Sequence, residues 1–298
     1  DCQGNTIDGN DVESTGNRGI HVNTVDNVTI RNCNINDFYY GLSIVNSNHS
    51  NITNLNSSST NNGINILLSI SSFNNFSDIT TYEAYTSIQL QSGSNNNTFN
   101  HTTVYDNSNA GMLIRSSSTG NQFYNTLLYD NLVYGGFYLQ YAYDTYVQNL
   151  TSHSSGNHGV NLEYSNNSQF NDITLYNISG TGGLRIAFSD NNSFDGLDSY
   201  NTTTGLWIQR SDNNTFTNVQ SYDTVYRGVR LYDHADNNTF TDVTLYDSTD
   251  GFYILNSSEN NITQSNIFNN TNIGIMLLDD ADNNFIWNNN IYNNTQNA

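Results

Sequence analysis

The stretch Gly228–Leu255, GVRLYDHADNNTFTDVTLYDSTDGFYIL, decides the fold, because the rest of the chain is a set of variations on it. It runs from one glycine-led apolar segment to the next, which opens at Gly251. Between them lie an Asp-Asn-Asn turn, a Phe-led segment and a Val-x-Leu-Tyr-Asp segment. The upstream neighbour reads GLWIQRSDNNTFTNVQSYDTVYRG and the downstream one GFYILNSSENNITQSNIFNNTNIG. A fixed period of this length marks a repeat architecture and governs how each residue is read.

Two columns hold phase along the chain. The glycine column runs Gly19, Gly41, Gly63, Ser87 as a substitution, Gly111, Gly136, Gly159, Gly183, Gly205, Gly228, Gly251 and Gly274, at spacings of 22 to 25. The apolar column runs Val28, Ile52, Phe76, Phe99, Phe123, Val147, Phe170, Phe194, Phe216, Phe240, Ile262 and Phe285. After each glycine, apolar and variable residues alternate (Val229 and Leu231, Phe252 and Ile254), and period two is a half-buried strand. Each repeat holds about three such short strands, joined by Asn, Asp, Ser and Gly, which tolerate left-handed backbone. Tight Asn-Gly hairpin connections are missing, so equivalent strands of successive turns stack in parallel. The expected fold is an all-β, single-domain parallel β-helix of about twelve rungs spanning 1–298. Residues 1–40 are less regular than 41–298. Stacked Asn side chains are expected to bond one another in a ladder, and the absence of proline suits rungs that all need their N–H groups.

Composition narrows the partners. The net charge is −20, and the seven basic residues are all Arg, with no lysine. Nucleic acid and anionic membrane surfaces are therefore not expected as partners. Polyanionic sugars are expected to be repelled unless a divalent cation intervenes. No apolar run reaches the length of a membrane-inserting segment. The chain starts at Asp1 without methionine, as a processed chain or part of a longer one. Cys2 and Cys33 are the only cysteines: one N-terminal disulfide in an exported protein, or two buried thiols in neighbouring rungs.

The opening DCQGNTIDGN, followed by VTIRNCNIND, resembles archaeal and bacterial repeat proteins of the NosD type. These belong to the carbohydrate-binding and sugar-hydrolase β-helix family, where a Cys-x-Gly-x-x-Ile-Asp-Gly opening precedes Asn-rich rungs. The resemblance covers essentially all 298 residues and implies a right-handed parallel β-helix. Family members include surface-layer and adhesive proteins, periplasmic copper-delivery proteins and polysaccharide-active enzymes, so the fold does not choose among them.

Several columns carry candidate chemistry. Outward positions of the glycine-led strand hold Leu113, Tyr138, Arg185, Trp207, Arg230, Tyr232, Tyr253, Leu255, Met276 and Leu278. A contiguous strip of these types on a soluble rod marks an interface or a carbohydrate-binding face, unless a loop covers it. A tyrosine column (Tyr82, Tyr105, Tyr129, Tyr176, Tyr200, Tyr222, Tyr246, with His153 and Phe268 in the same slot) reads as an outward stacked ladder. Asp190, Asp212, Asp236, Glu259 and Asp282 precede the Asn turn in five consecutive rungs. Each carboxylate caps its own turn, or the column binds Ca2+. The six histidines show no zinc spacing. There are 18 Asn-x-Ser/Thr sites, among them Asn51, Asn149, Asn213 and Asn261, consistent with an exterior glycoprotein.

The same columns hold the candidates for catalysis. Glu163, Arg185, Arg210, Asp233 and His234 form the nearest cluster of acids with Arg, and Asp279 and Asp280 are adjacent acids. The Gly-His-Gly and Arg-Ile-Lys signatures of polygalacturonases are missing, and without lysine no Lys-based proton abstraction is available. The expectation is a non-enzymatic protein. Both ends stay in pattern without a capping helix, and an open β-edge invites pairing. The main expectation is therefore an extracellular or cell-surface structural protein, a homo-oligomeric surface-layer or filament subunit built by head-to-tail stacking. The alternative is a carbohydrate-binding or polysaccharide-cleaving β-helix working along the Trp207–Tyr253 face.

Overall fold

The computed structural model describes residues 1–9 and 16–296, the side chains at positions 60 and 61 excepted. The chain is a right-handed parallel β-helix of about 12 turns, 64% strand, with no helix among the described residues. Accordingly, no helix is long and apolar enough to cross a membrane. Two compact units, Asp1–Thr151 and Ser152–Ala298, are built from the same kind of turn.

In the second unit a turn consists of a longer strand such as Ser193–Thr202 and a shorter, glycine-led one such as Thr204–Gln209. Both pair in parallel with their equivalents one turn on. Phe194 faces Phe216, Leu197 faces Val219 and Tyr200 faces Tyr222, while Leu206 faces Val229 and Ile208 faces Leu231. The first two of the three strands expected per turn are thus one strand, bent at a left-handed residue (Gly196, Asn218 or Asp242). Only in the last turns does it separate into Asn261–Thr263 and Asn266–Phe268. Short polar residues take these corners because their side chains tolerate positive φ.

One residue after the left-handed Asn191, Asn213 and Asn237 comes a buried asparagine ladder. The Asn192 backbone N–H and Nδ2 both donate to Asn214 Oδ1, at 2.9 and 3.1 Å. Asn214 does the same to Asn238, and Asn238 to Asn260. The interior Phe170, Phe194, Phe216 and Phe240 stack face to face with centroids 4.7 to 5.2 Å apart. Gly205 shows why its column is glycine. A Cβ there would collide with Ser221 Oγ and lie 2.6 Å from the Gly228 carbonyl oxygen.

The first unit repeats these devices. Phe76, Phe99 and Phe123 stack at 4.3 and 5.3 Å, and Asn74, Asn97 and Asn121 form the ladder. Thr6–Asp8 pairs with Asn34–Asn36, and Cys2 is joined to Cys33 in a disulfide, which decides the alternative left open by the sequence. The apolar column needs correcting at both ends. Ile30, not Val28, pairs with Ile52, and Ile286, not Phe285, pairs with Ile262. Phe285 is 56% exposed. At Phe285 the one-residue slip turns the ring to the opposite face, whereas Val28 lies two residues early, just before the strand that begins at Thr29.

Candidate functional site

In the second unit the outward side of the glycine-led strands presents two columns in register. One runs Asn161, Arg185, Trp207, Arg230, Tyr253, Met276, and the other Glu163, Ala187, Gln209, Tyr232, Leu255, Leu278. Leu278 is exposed, and Arg185, Trp207, Arg230, Tyr232, Tyr253, Leu255 and Met276 are half-buried. Parallel pairing sets equivalent residues about 4.8 Å apart, so an arginine in one turn falls onto a ring in the next. The Arg230 guanidinium lies 4.8 Å from the Trp207 ring centre and 4.5 Å from that of Tyr232. Arg227 sits 3.8 Å over Tyr253, with its Nε 3.8 Å from Asp250 Oδ2. Arg185 Nη1 donates to Asn161 Oδ1 at 3.0 Å. Burial, and then the charge of Arg227, lower the Arg230 pKa, yet a guanidinium remains charged in a protein. Trp207 Nε1 is buried without a hydrogen-bond acceptor among the described residues. At the edge of this face His158 is buried, its pKa pushed down to about 3 by desolvation and by Arg185, so its imidazole is neutral.

The corner after the face is also ordered by rings and charge. Tyr164 stacks on Phe188 at 4.7 Å, Arg210 lies 5.4 Å over Phe188, and Arg210 Nε pairs with Asp233 Oδ2 at 2.6 Å. Of the acid–arginine cluster read from the sequence, Arg210 and Asp233 form an ion pair. Arg185 is held by Asn161, His234 Nε2 is 3.5 Å from Asn256, and Glu163 lies in the second outward column. A depression of about 300 Å³ beside this corner is lined by Tyr232, Asp233, Leu255, Asn256, Asp279 and Asp280.

The first unit carries a groove of which the sequence revealed only Leu113 and Tyr138. A groove of about 450 Å³ has Leu67, Gln89, Leu113 and Tyr138 as its floor, one from each of four successive turns. Its walls are Tyr39, Tyr40, Tyr85 and Tyr134. Arg115 Nη2 and Gln89 Nε2 both donate to Gln91 Oε1, at 3.1 and 2.6 Å, and Gln140 Nε2 donates to the Tyr138 hydroxyl at 3.0 Å. Leu113 and Tyr138 were expected to be exposed but are only 6% and 4% so. The rungs bordering Gly111 are longer than most, and the extra residues at Leu132–Tyr134 bring Tyr134 against Tyr138, with ring centres 5.4 Å apart. The spacings of 24 and 25 on either side of Gly111 were the available signal.

The remaining columns resolve into ladders. Tyr82, Tyr105 and Tyr129 stack in the first unit, and His153, Tyr176, Tyr200, Tyr222, Tyr246, Phe268 and Tyr292 in the second. Burial, then Asp198 and the neighbouring tyrosines, push the Tyr222 hydroxyl up to about 12. In the acidic column, Asp190 Oδ1 accepts the Asp212 N–H and Asp212 Oδ1 accepts the Asp236 N–H, at 2.8 and 2.9 Å, while Asp236 Oδ1 accepts the Ser258 N–H. Each carboxylate therefore caps the following turn. Glu259 lies one position on, at a left-handed corner, and Ser258 takes its slot, with its Oγ accepting the Asp282 N–H. Asn51, Asn149 and Asn213 are exposed and Asn261 is half-buried.

Comparison with known proteins extends these observations. Residues 129–298 match the family model described as periplasmic copper-binding protein (NosD), and residues 1–128 match that of the right-handed β-helix region. No curated protein matches the chain in sequence. Among solved structures, the A-module of the Azotobacter vinelandii mannuronan C-5 epimerase AlgE6 is similar at a TM-score of 0.63 and 12% identity, covering 91% of each chain. The AlgE4 A-module from the same organism gives 0.61 and 13%, again over 91% of each. A variant of the periplasmic alginate epimerase AlgG gives 0.55 and 13%, over 89% of this chain and 77% of the other. At such identities the likeness is one of fold. It nevertheless corrects the expectation of a non-enzymatic protein, because the fold shared here is that of polysaccharide-modifying enzymes. The lack of lysine and of polygalacturonase signatures therefore does not argue against catalysis.

Both thiols are consumed in the Cys2–Cys33 disulfide, Met112 is fully buried, the half-buried Met276 is a single thioether paired in register with Tyr253, and no group of three His, Cys, Asp or Glu gathers among the described residues. His49 stacks on Phe73 and His153 on Tyr176, in separate units. These residues do not fit a copper centre built on soft sulfur or clustered imidazole ligands.

Proposed function

The chain belongs to the NosD family of right-handed β-helix proteins, and from that premise we propose that it acts on a polysaccharide bound along the outward side of its glycine-led strands. The observation that carries this reading is the arginine–aromatic lattice of Arg185, Trp207, Arg230, Tyr232 and Tyr253. Aromatic faces offer flat apolar platforms with polar edges, and guanidinium and amide groups beside them donate to ring hydroxyls. Repetition of such groups from turn to turn suits a polymer better than a small molecule. The likeness in fold to polysaccharide epimerases supports the same reading. An extracellular or periplasmic location is supported by the disulfide and by the family's description.

The test is retention on a panel of immobilised polysaccharides. Trp207→Ser combined with Tyr253→Ser is expected to lower retention by about thirtyfold or more, at about 1–3 kcal/mol per lost aromatic contact, with the melting transition preserved. Unchanged retention in a folded double variant would remove this face as the site.

A second reading, self-association into a structural assembly, is favoured by one observation. Phe285 and Trp287 in the last described turns are 56% and 62% exposed.

A further inference from the structure

The distribution of positive charge deepens the proposed function and rests on it. The chain carries 27 acids against seven arginines. Arg31 pairs with Asp1 at the N-terminal turn. In the first unit, Arg115 is the one charged residue among the described residues that line the groove, and Arg18 stacks 5.5 Å over the wall residue Tyr40. In the second unit, Arg185, Arg227 and Arg230 lie on the outward side of the glycine-led strands, and Arg210 stands at its corner. Six of the seven cations of an acidic protein therefore sit on or beside the faces proposed to hold sugar.

These cations are also incompletely neutralised. Among the described residues Arg115, Arg185 and Arg230 make no ion pair; Arg115 and Arg185 hydrogen-bond only to the amides of Gln91 and Asn161, and Arg230 rests on two rings. Holding a partly buried guanidinium without a counter-charge is unfavourable. With no ion pair among the described residues, these three arginines can still receive an anion from outside. The planar fork of arginine matches carboxylate and sulfate oxygens in pairs, as a lysine ammonium does not.

We propose that the polysaccharide is anionic, with carboxylate or sulfate groups received by Arg115 in the first unit and by Arg185 and Arg230 in the second. The net charge of −20 does not forbid this. At physiological salt the Debye length is about 8 Å, so the distant carboxylates are screened while contact pairs with arginine persist. The expectation of repulsion taken from composition alone thus gives way to the local placement of charge.

The experiment compares binding of the full chain to polygalacturonate and to its fully methyl-esterified, neutral counterpart, and to dextran sulfate and dextran, at about 0.15 M salt. The anionic member of at least one pair should bind roughly tenfold more tightly, and Arg115→Gln or Arg185→Gln should remove most of that preference. Which pair responds tells carboxylate from sulfate. Arg230→Gln is a third variant, but it also releases Trp207 and Tyr232, so the two arginines held by neutral amides carry the decision if it fails to fold. Equal binding of charged and neutral members, unaffected by these variants, overturns the anionic inference while leaving the sugar reading intact. Binding to no polysaccharide, in a folded wild-type chain, overturns both.

Discussion

At the scale of the residue, the structure depends on polar side chains used as backbone. Asn214 is fully buried; its Oδ1 accepts the Asn192 N–H, and its Nδ2 donates to the Ser189 carbonyl at 3.1 Å. Asn214→Ala strands both groups in the interior, and at 1–3 kcal/mol each the loss in stability is about 3 kcal/mol, measurable by urea denaturation. His158 works in the opposite sense, as a buried group that must stay neutral. Its pKa falls from 6.5 to about 3, so between those values the unfolded chain binds a proton that the folded chain refuses. Its contribution is therefore fully present above pH 6.5 and is lost progressively as pH falls toward 3. Compared with His158→Gln, the wild type should lose about 1.4 kcal/mol more per pH unit through this window. Parallel pH profiles of the two proteins would sink the assignment.

At the scale of the element, the corners and columns set the tolerance to change. Gly205→Ala forces a methyl group against Ser221 and against the Gly228 carbonyl, so a cost of about 3 kcal/mol is expected from overpacking alone, read as a lower denaturation midpoint. The acidic column tests capping against calcium. Desolvation first, and then Asp190 and Asp236, raise the Asp212 pKa, while the hydrogen bond from Asp236 lowers it. The folded chain thus holds this proton more tightly than the unfolded one, and the ionised carboxylate opposes folding at neutral pH. Asn166 already fills the same slot and accepts the Asp190 N–H at 2.8 Å. Asp212→Asn should therefore raise the melting temperature at pH 7, whereas a calcium-binding column predicts a fall that appears only when calcium is present.

At the scale of the whole molecule, charge and exposed rings oppose each other. A net charge of −20 disfavours contact between copies, and screening removes that penalty beyond about 10 Å at 0.1 M salt. If Phe285 and Trp287 drive self-association, light scattering should grow with ionic strength, and Trp287→Ser should abolish the growth. Scattering independent of salt and of Trp287 would retire the structural-subunit reading.

The repeat, the β class and most of the core were determined by sequence alone, for one physical reason. In a parallel solenoid two residues at the same phase of the period are neighbours in space, so Phe194, Phe216 and Phe240 reveal their own contacts. Alternation then separates inward Val229 and Leu231 from outward Arg230 and Tyr232. The corners obey neither rule. Their direction is set by single left-handed residues and by one or two extra residues per turn, so the Tyr85 and Tyr134 walls of the groove were invisible in the columns. For the same reason the structure alone put Ser258 rather than Glu259 in the capping column, joined Cys2 to Cys33, and laid Arg230 over both Trp207 and Tyr232. Periodicity specifies which turn a side chain belongs to; only the folded corner specifies where its end comes to rest.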